Sequence, residues 1–485
     1  MPRRPEVERL MTTAPPASPA PQQRRVAVIG GGITGAAAAF ELSQQLSAGA
    51  LDQVEVFERA DSVGGRSQTS PFAGLDHVDC GPDAFLARVP DAVALAAEVG
   101  LGAELTHPQP VGAAVWHHKL HDIPAGLVLG VPGNPFALAQ SGLLSWRGKA
   151  RAAIEPFLPR TSTDADAIGP YVRARFGHEV HERLVDALVG SIYATDTDRF
   201  SLAEMPQVAA LTAGRSMLLT ARRTARRNAG TATAGAAPIF ATPKAGVQTL
   251  VTRTFTAAQN NGVVLHTGRT VSIELVDQAH TLWMVDGEPF DAVVLAVPAA
   301  TAATLVSRAS PPAAALLALS ETADVALLTL HVDEREFPEA GVGKSGYLIP
   351  KPVQRHLTAV SFGSQKWGHW QPPEGGQILR ASLGRDGAPV LHLDDDDLVD
   401  RALDDLAKHL GSRLTPREVR VSRWPGAFAQ YRPHHRAWVD SVRSELPSGL
   451  FLAGSSFDGI GLPACIRSGR TNAENAALHV KALAS

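Results

Sequence analysis

Gly30, Gly32 and Gly35 fall at the G-x-G-x-x-G spacing between an apolar, β-branched run, VAVIG at 26–30, and a stretch of strong helix formers, GITGAAAAFELSQQL. Glycines at these places permit a tight turn and let a pyrophosphate approach the N–H groups of a helix N-terminus. The candidate contacts are Gly30, Gly31, Gly32, Ile33, Thr34 and Gly35. QVEVFERA, 53–60, reads as a second strand that ends in an acid, so Glu58 lies about where a ribose hydroxyl finds its acceptor, with Arg59 beside it. An acid there disfavours a 2′-phosphate, which leaves FAD or NAD as the expected dinucleotide. GGRSQT at 64–69 follows, and its Gly65 and Arg66 extend the anionic cradle.

These residues need a parallel sheet to hold them. With 485 residues, 45% hydrophobic and 19% charged, the chain is long enough for two or three domains with their own cores. Buried-strand runs return in FDAVVLAVP at 290–298 and LFLAG at 450–454, the latter leading into a second glycine-rich turn and helix. The expected fold class is α/β, α+β overall. A discontinuous Rossmann-like nucleotide domain is assembled from 24–100, 238–302 and 445–485. A substrate domain on an antiparallel sheet takes 101–138 and 303–444, and a helical insertion takes 139–237. In the insertion, Val172, Phe176, Val180, Leu184 and Leu188 repeat at helical spacing. DDDDLVDRALDDLAKHLG at 394–411 reads as a helix with an acidic start suited to its dipole rather than as metal ligands. Residues 1–23 lack an apolar h-region, and their Pro/Ala/Thr/Gln mix predicts a disordered arm.

The GGR that follows the fingerprint resembles the signature of flavoproteins of the amine oxidase and porphyrinogen oxidase superfamily, and DCGPDAFLA at 79–87 narrows the likeness. It is similar to the GPDSFLA segment of FAD-dependent protoporphyrinogen and coproporphyrinogen III oxidases. SIYATDTDRFSL, TPKAGVQTLV, RTVSIEL, RWPGAFAQY and LFLAGSSFDGIGLPACIRSG resemble further segments of that family in the same order, across about residues 24–480. The resemblance implies FAD, with contacts from Gly81, Pro82, Asp83 and Ala84, from the Val271 backbone on the adenine side, from Trp424, and from Gly459, Ile460 and Gly461 nearer the isoalloxazine. It implies oxidation of coproporphyrinogen III to coproporphyrin III in heme biosynthesis, with protoporphyrinogen IX to protoporphyrin IX as the sibling activity. Six electrons leave in three rounds of hydride transfer to the flavin, and O2 is reduced to H2O2. No catalytic side chain is named, because the flavin carries the chemistry. Substrate carboxylates call for arginine, and Arg88 is the first candidate, with Ser191 and Tyr193 lining the cavity. Ala429 stands where the family has proline, Ser191 and Thr195 where it has glycines, and Ala464 where an acid is common. Ser191 would narrow the cavity.

Other classes of function fit less well. A net charge of −3 and a pI near 6.6 give no footprint for nucleic acid, and the basic run ARRTARRNAG at 221–230 is expected to be a solvated linker. Cys80 and Cys465 make no disulfide framework or metal spacing, which suits a reducing cytoplasm. Cys465 is expected to pack against the cofactor fold, His434 and His435 are expected to be exposed, and no metal is expected. IPAGLVLGVPGNPFALAQSGLLSW, 123–146, is read as a buried loop and a helix starting near Pro135 rather than as a membrane-touching loop. The expected partners are a porphyrinogen and O2, with transient contact at a membrane surface and handover to the next heme-pathway enzyme. A flavin amine oxidase or carotenoid desaturase shares the fingerprint, but only Phe457 is present toward an aromatic cage. A non-enzymatic porphyrin-delivering scaffold is the third reading.

Overall fold

Val26, Ala27 and Val28 are fully buried, so the opening strand Arg25–Ile29 must be covered on both faces, as the centre of a parallel sheet is. It pairs in parallel with Gln53–Phe57 on one side and with Ala292–Leu295 on the other. Val264–His266 and Leu450–Leu452 complete five parallel strands. In chain order the strands lie 3-2-1-4-5 across the sheet, the doubly wound order. The order reverses between the opening strand and Ala292–Leu295, and the carboxyl ends at such a switch point are where sheets of this kind take their ligands. The computed structural model describes residues 24–230, 238–277 and 282–483, so the arm expected at 1–23 lies outside the described residues.

One face of this sheet carries the opening helix Ile33–Ser47, the helix Gln248–Asn260 and the closing helix Leu462–Leu483. Small residues let the opening and closing helices approach: a Cβ on Gly469 would sit 2.3 Å from the Thr34 carbonyl oxygen. The chain's last helix therefore packs against its first.

A second sheet has seven strands in the order Glu418–Ala429, Thr322–Val332, Gln377–Leu383, Leu357–Phe362, Lys344–Leu348, Gly112–Trp116 and Leu120–Asp122. It is antiparallel except where Lys344–Leu348 runs parallel to Gly112–Trp116, which corrects the fully antiparallel expectation. Those two strands are more than two hundred residues apart, so no hairpin sets their direction. The acidic-start helix, Asp395–Leu410, packs Leu398, Ala402 and Leu406 against the sheet, and Asp394 caps it by accepting from the Asp397 N–H.

The helical region is continuous in sequence. Helix Ile168–Phe176 breaks at Gly177 (φ 87°), and the chain then widens into a ten-residue π-helix, His181–Gly190. The basic run is not a linker: it forms most of helix Met217–Gly230, with Ala221 fully buried. Charge composition resembled a solvated segment, but the helix is fixed from outside the run. Glu155 accepts from Ser216 Oγ and from the N–H groups of Met217 and Leu218 at its N-terminus. Helix Pro135–Gln140 starts where expected, with Asn134 accepting from the N–H groups of Phe136 and Ala137.

Candidate functional site

At the carboxyl end of the opening strand the chain turns through Gly30 at φ 117°, where a Cβ would lie 2.5 Å from the Ala296 carbonyl oxygen. Gly35 is as tightly held, its Cβ position 1.9 Å from the Gly30 oxygen. Both must be glycine for the chain's own packing. Gly32 differs, since nothing lies within 4 Å of its Cβ position, and as N-cap of the opening helix it offers no side-chain cap. The first-turn N–H groups of Ile33, Thr34 and Gly35 thus have no side-chain cap at the positive end of the helix, the arrangement that seats an anion.

Glu58 follows the second strand and bends over this turn. One carboxylate oxygen accepts from the Gly31 N–H at 2.5 Å, the other from the Ala60 N–H at 2.7 Å. Arg59 points to solvent. The N–H groups of Gly268 and Arg269 bond to the Ala60 and Glu58 carbonyls, which brings buried Val271 to the same edge.

The GGR loop lies against the glycine turn, the Cβ position of Gly65 being 3.2 Å from Gly32 Cα. Arg66 donates to the Gly426 carbonyl and reaches Ser455 Oγ at 3.5 Å. Burial lowers its pKa from the ordinary value, only partly offset by the Cys465 thiol. Among the described residues it has no carboxylate partner, so a half-buried cation stands beside an uncapped helix N-terminus. A dinucleotide pyrophosphate would satisfy both. The residues present fit FAD in this respect.

Segment 78–84 crosses next to this site under a clamp from the second sheet. Arg420 donates to the Val78 and Asp79 carbonyls, Trp424 Nε1 to the Cys80 carbonyl at 3.0 Å, and Arg380 to the Gly81 carbonyl. Gly81 has no room for a side chain, its Cβ position 2.1 Å from the Arg66 carbonyl oxygen. Asp83 accepts from Lys366 Nζ at 2.8 Å and Trp367 Nε1 at 3.0 Å. Burial would raise its pKa, but Lys366, Arg380 and these hydrogen bonds hold the carboxyl well below the usual range. Pro82 is half-buried and Ala84 packs with Trp367 and Trp370. Asp79 goes the other way, pushed up to about 6 by burial despite bonds from Thr69 Oγ1 and the Val247 N–H.

The closing turn reaches the same place from the other end of the chain. Gly459 (φ 121°) and Gly461 (φ 106°) flank Ile460 just before the closing helix. Tyr431 holds this turn with one hydroxyl, donating to the Ser455 carbonyl at 2.7 Å and accepting from the Gly459 N–H at 2.8 Å. Asp458 is gripped by Arg443 and by Ser468 Oγ, which in turn accepts from the Gly454 N–H. Cys465 packs in the core beneath, its thiol pushed up by burial.

Of the expected substrate residues, Tyr193 and Ile460 pack on one apolar cluster, so the helical region meets the closing turn. Ser191 Oγ donates to the Thr358 carbonyl at 3.1 Å. Arg88 is exposed and, among the described residues, forms no ion pair. His435 corrects the expectation of exposure: it is buried, stacked 3.8 Å from the Tyr431 ring, and burial pushes its pKa down to about 4. His434 is exposed as expected. No group of three metal-ligating side chains occurs among the described residues, and no described helix is long and apolar enough to cross a membrane.

Sequence reading missed the clamp residues Arg380, Arg420 and Lys366, the anchor Tyr431, and a buried network in the π-helix. There Asp186 pairs with Arg385 at 3.1 Å and accepts from Thr197 Oγ1 at 2.8 Å, and the same hydroxyl lies 2.9 Å from His181 Nε2. Tyr431 ends the quoted RWPGAFAQY segment, and its place there was the available signal.

A family model for flavin containing amine oxidoreductase matches residues 33–477. The chain is 32% identical to coproporphyrinogen III oxidase of Bacillus subtilis, over 94% of this chain and 98% of that one. It is 26% identical to human protoporphyrinogen oxidase, covering 92% and 97%. Among solved structures, an Exiguobacterium protein provisionally named a protoporphyrinogen oxidase superposes with a TM-score of 0.80 at 26% identity, covering 94% of this chain and 99% of that one.

Proposed function

We propose, for a chain that belongs to the flavin-containing amine oxidoreductase family, FAD-dependent oxidation of coproporphyrinogen III to coproporphyrin III in heme biosynthesis, with O2 as acceptor. The observation that carries this reading is likeness to the Bacillus coproporphyrinogen III oxidase along nearly its whole length, with all the glycine turns in place. Aromatising the macrocycle removes six electrons, so two-electron oxidation takes three rounds and yields three H2O2. Bound FAD supplies that two-electron chemistry and returns the electrons to O2.

This chain's residues bind, orient and exclude water. The first-turn N–H groups after Gly32, together with Arg66, would hold the pyrophosphate, and Glu58 the ribose. Val271 would cover the adenine side. The clamped segment 81–84, with Trp424 against it, would fix one side of the ring system and Gly459–Gly461 the other. Arg88, with no carboxylate partner of its own, suits a substrate carboxylate, and Ser191 and Tyr193 border the substrate space. This work belongs to the cytoplasm, with product passed on to the next heme-pathway enzyme.

The test is anaerobic mixing of the yellow protein with each porphyrinogen. Rapid bleaching by coproporphyrinogen III is expected, followed on aeration by coproporphyrin III and H2O2. Likeness to the human enzyme favours protoporphyrinogen IX as the second reading, and faster bleaching by that compound would replace the first choice. No bleaching by either would overturn both.

A further inference from the structure

The helix His181–Gly190 is π-type over ten residues, whereas such turns ordinarily occur singly inside an α-helix. Something outside the helix must hold it wide. Two of its residues that are five apart, His181 and Asp186, bond to one hydroxyl, Thr197 Oγ1, at 2.9 and 2.8 Å. In an α-helix the neighbours on one face are three or four apart, and a residue five along is turned away. The shared hydroxyl therefore fits the wide register.

Arg385, just after strand Gln377–Leu383, fixes the same stretch from the second sheet. Its side chain and that of Asp186 are 3% and 2% exposed and pair at 3.1 Å. The guanidinium also donates to Gln354 Oε1 at 3.2 Å and to the Thr195 carbonyl. A Cβ on Gly190 would sit 2.7 Å from Arg385 Nη2 and 3.0 Å from Asp186 Oδ1, so the pair closes over bare backbone. One arginine thus holds the helix end at Gly190 and the loop beyond it at Thr195. Ser191, Tyr193 and Ala194 lie between these two points. Ala194 is in the left-handed region (φ 47°), which alanine keeps only when its surroundings impose it, and its carbonyl accepts from the Asp386 N–H at 2.8 Å. It packs on Ala323 and Val325, and Val325 stands opposite Trp424 in the sheet.

We propose that the Asp186–Arg385 pair is a register lock for the substrate wall: it keeps helix His181–Gly190 in the wide form and so sets where Ser191, Tyr193 and Ala194 stand. Both are positioning residues, acting through Gly190 and the Thr195 carbonyl rather than on substrate or flavin. A helix that slips by one residue turns each following side chain by about 100°, which presents a different set to the macrocycle. Stability alone does not call for charge here, since apolar side chains of similar volume often serve a buried site as well or better. The identity of the ligand rests on the porphyrinogen reading above; the register of the helix does not.

The test compares FAD-loaded wild type with two variants that disturb the pair in different ways. Asp186→Leu with Arg385→Met replaces it by apolar groups, and Gly190→Ala keeps both charges but intrudes on them. Each should fold with wild-type circular dichroism and stay yellow. Affinity for coproporphyrin III, read from porphyrin fluorescence, should fall roughly tenfold or more, and KM for coproporphyrinogen III should rise by a similar factor, with a smaller fall in the limiting rate of flavin bleaching. Amide exchange should quicken at 190–195 and not in the opening helix. Arg385→Lys keeps the charge without the fork and should fall between wild type and the apolar pair. Unchanged porphyrin affinity and KM in both variants would overturn the proposal. So would loss of flavin in step with loss of porphyrin affinity, the mark of a purely structural pair. If the double variant fails to fold, Gly190→Ala decides alone. Wild type that binds coproporphyrin III yet bleaches with neither porphyrinogen would sink the proposed activity while the affinities still decide the lock; wild type that binds no porphyrin would overturn both.

Discussion

The two glycine turns that converge on the cofactor site are built by different means. In the opening turn, the positions of Gly30 and Gly35 are dictated by main chain a few residues away or on the neighbouring strand: their Cβ positions fall on the carbonyls of Ala296 and Gly30. In the closing turn, nothing lies within 4 Å of the Gly461 Cβ position, and the shape is imposed by the side chains of Tyr431, Arg443 and Ser468. The first turn is set by close backbone packing, and the second by side chains that reach it from other elements. Breaking them should have different costs.

The largest effect is expected inside the opening turn, where two glycines three residues apart should fail in opposite ways. Gly35→Val puts atoms on the Gly30 carbonyl and against the strand, and should abolish soluble, folded protein. Gly32→Glu finds open space at its Cβ, so the chain should fold with wild-type circular dichroism yet purify colourless, its carboxylate standing in the anion seat. Retained yellow colour in Gly32→Glu would move the pyrophosphate elsewhere. Next in size is Arg66→Met, which removes the half-buried cation while keeping its volume. FAD affinity should fall by about 10²-fold, the scale of a charge-assisted pair at about 2–3 kcal/mol, measured by flavin release on dilution. Stability of the flavin-free protein should change little, because Arg66 spends its hydrogen bonds only on the Gly426 carbonyl and, at 3.5 Å, Ser455.

Tyr431→Phe tests the closing turn with one atom. It leaves the Ser455 carbonyl and the Gly459 N–H without their shared partner, at a cost of about 1–3 kcal/mol in thermal stability. The ring stays packed between Phe200 and His435, so the fold persists. Flavin should dissociate faster in this variant although the G-x-G-x-x-G unit is untouched. An unchanged dissociation rate would mean that the closing turn does not hold the cofactor.

The same contrast explains what the sequence could disclose. Strand, glycines, helix and Glu58 lie within about thirty residues, and each constrains the next, so spacing alone reads them. The clamp does not work that way. Arg380 and Arg420 sit in strands about three hundred residues from the carbonyls they hold, and in a strand an inward arginine looks like an outward one. His435 seemed exposed because a His-His pair carries no burial signal; stacking on Tyr431 decides it. The π-helix was read as an ordinary helix because apolar spacing over ten residues does not separate the two periods.

The smallest expected effect distinguishes the two regions by pH. On the opening side, Asp79 is pushed up to about 6 by burial, although its carboxyl accepts from Thr69 and from the Val247 N–H that leads into helix Gln248–Asn260. A carboxyl whose folded pKa lies above its unfolded value near 4 binds its proton more tightly in the native state. It favours folding at low pH, and that stabilisation is lost as pH rises through 6. On the closing side, His435 is pushed down to about 4 by burial, below the ordinary 6.5. Its native form is the neutral one, so it costs stability in acid and stops doing so as pH rises through about 6.5. The two contributions have opposite sign over nearly the same range and mask each other in the wild-type profile. Differences against variants separate them. From pH 4 to 7, Asp79→Asn should gain on wild type by up to about 3 kcal/mol, the equivalent of about two pKa units, whereas His435→Phe should lose its advantage over wild type across the same range. The measurement is urea unfolding of flavin-free protein at half-unit pH steps. Parallel curves for wild type and Asp79→Asn would show that this buried carboxyl keeps an ordinary pKa, and that the opening side is as insensitive to pH as its local packing alone would make it.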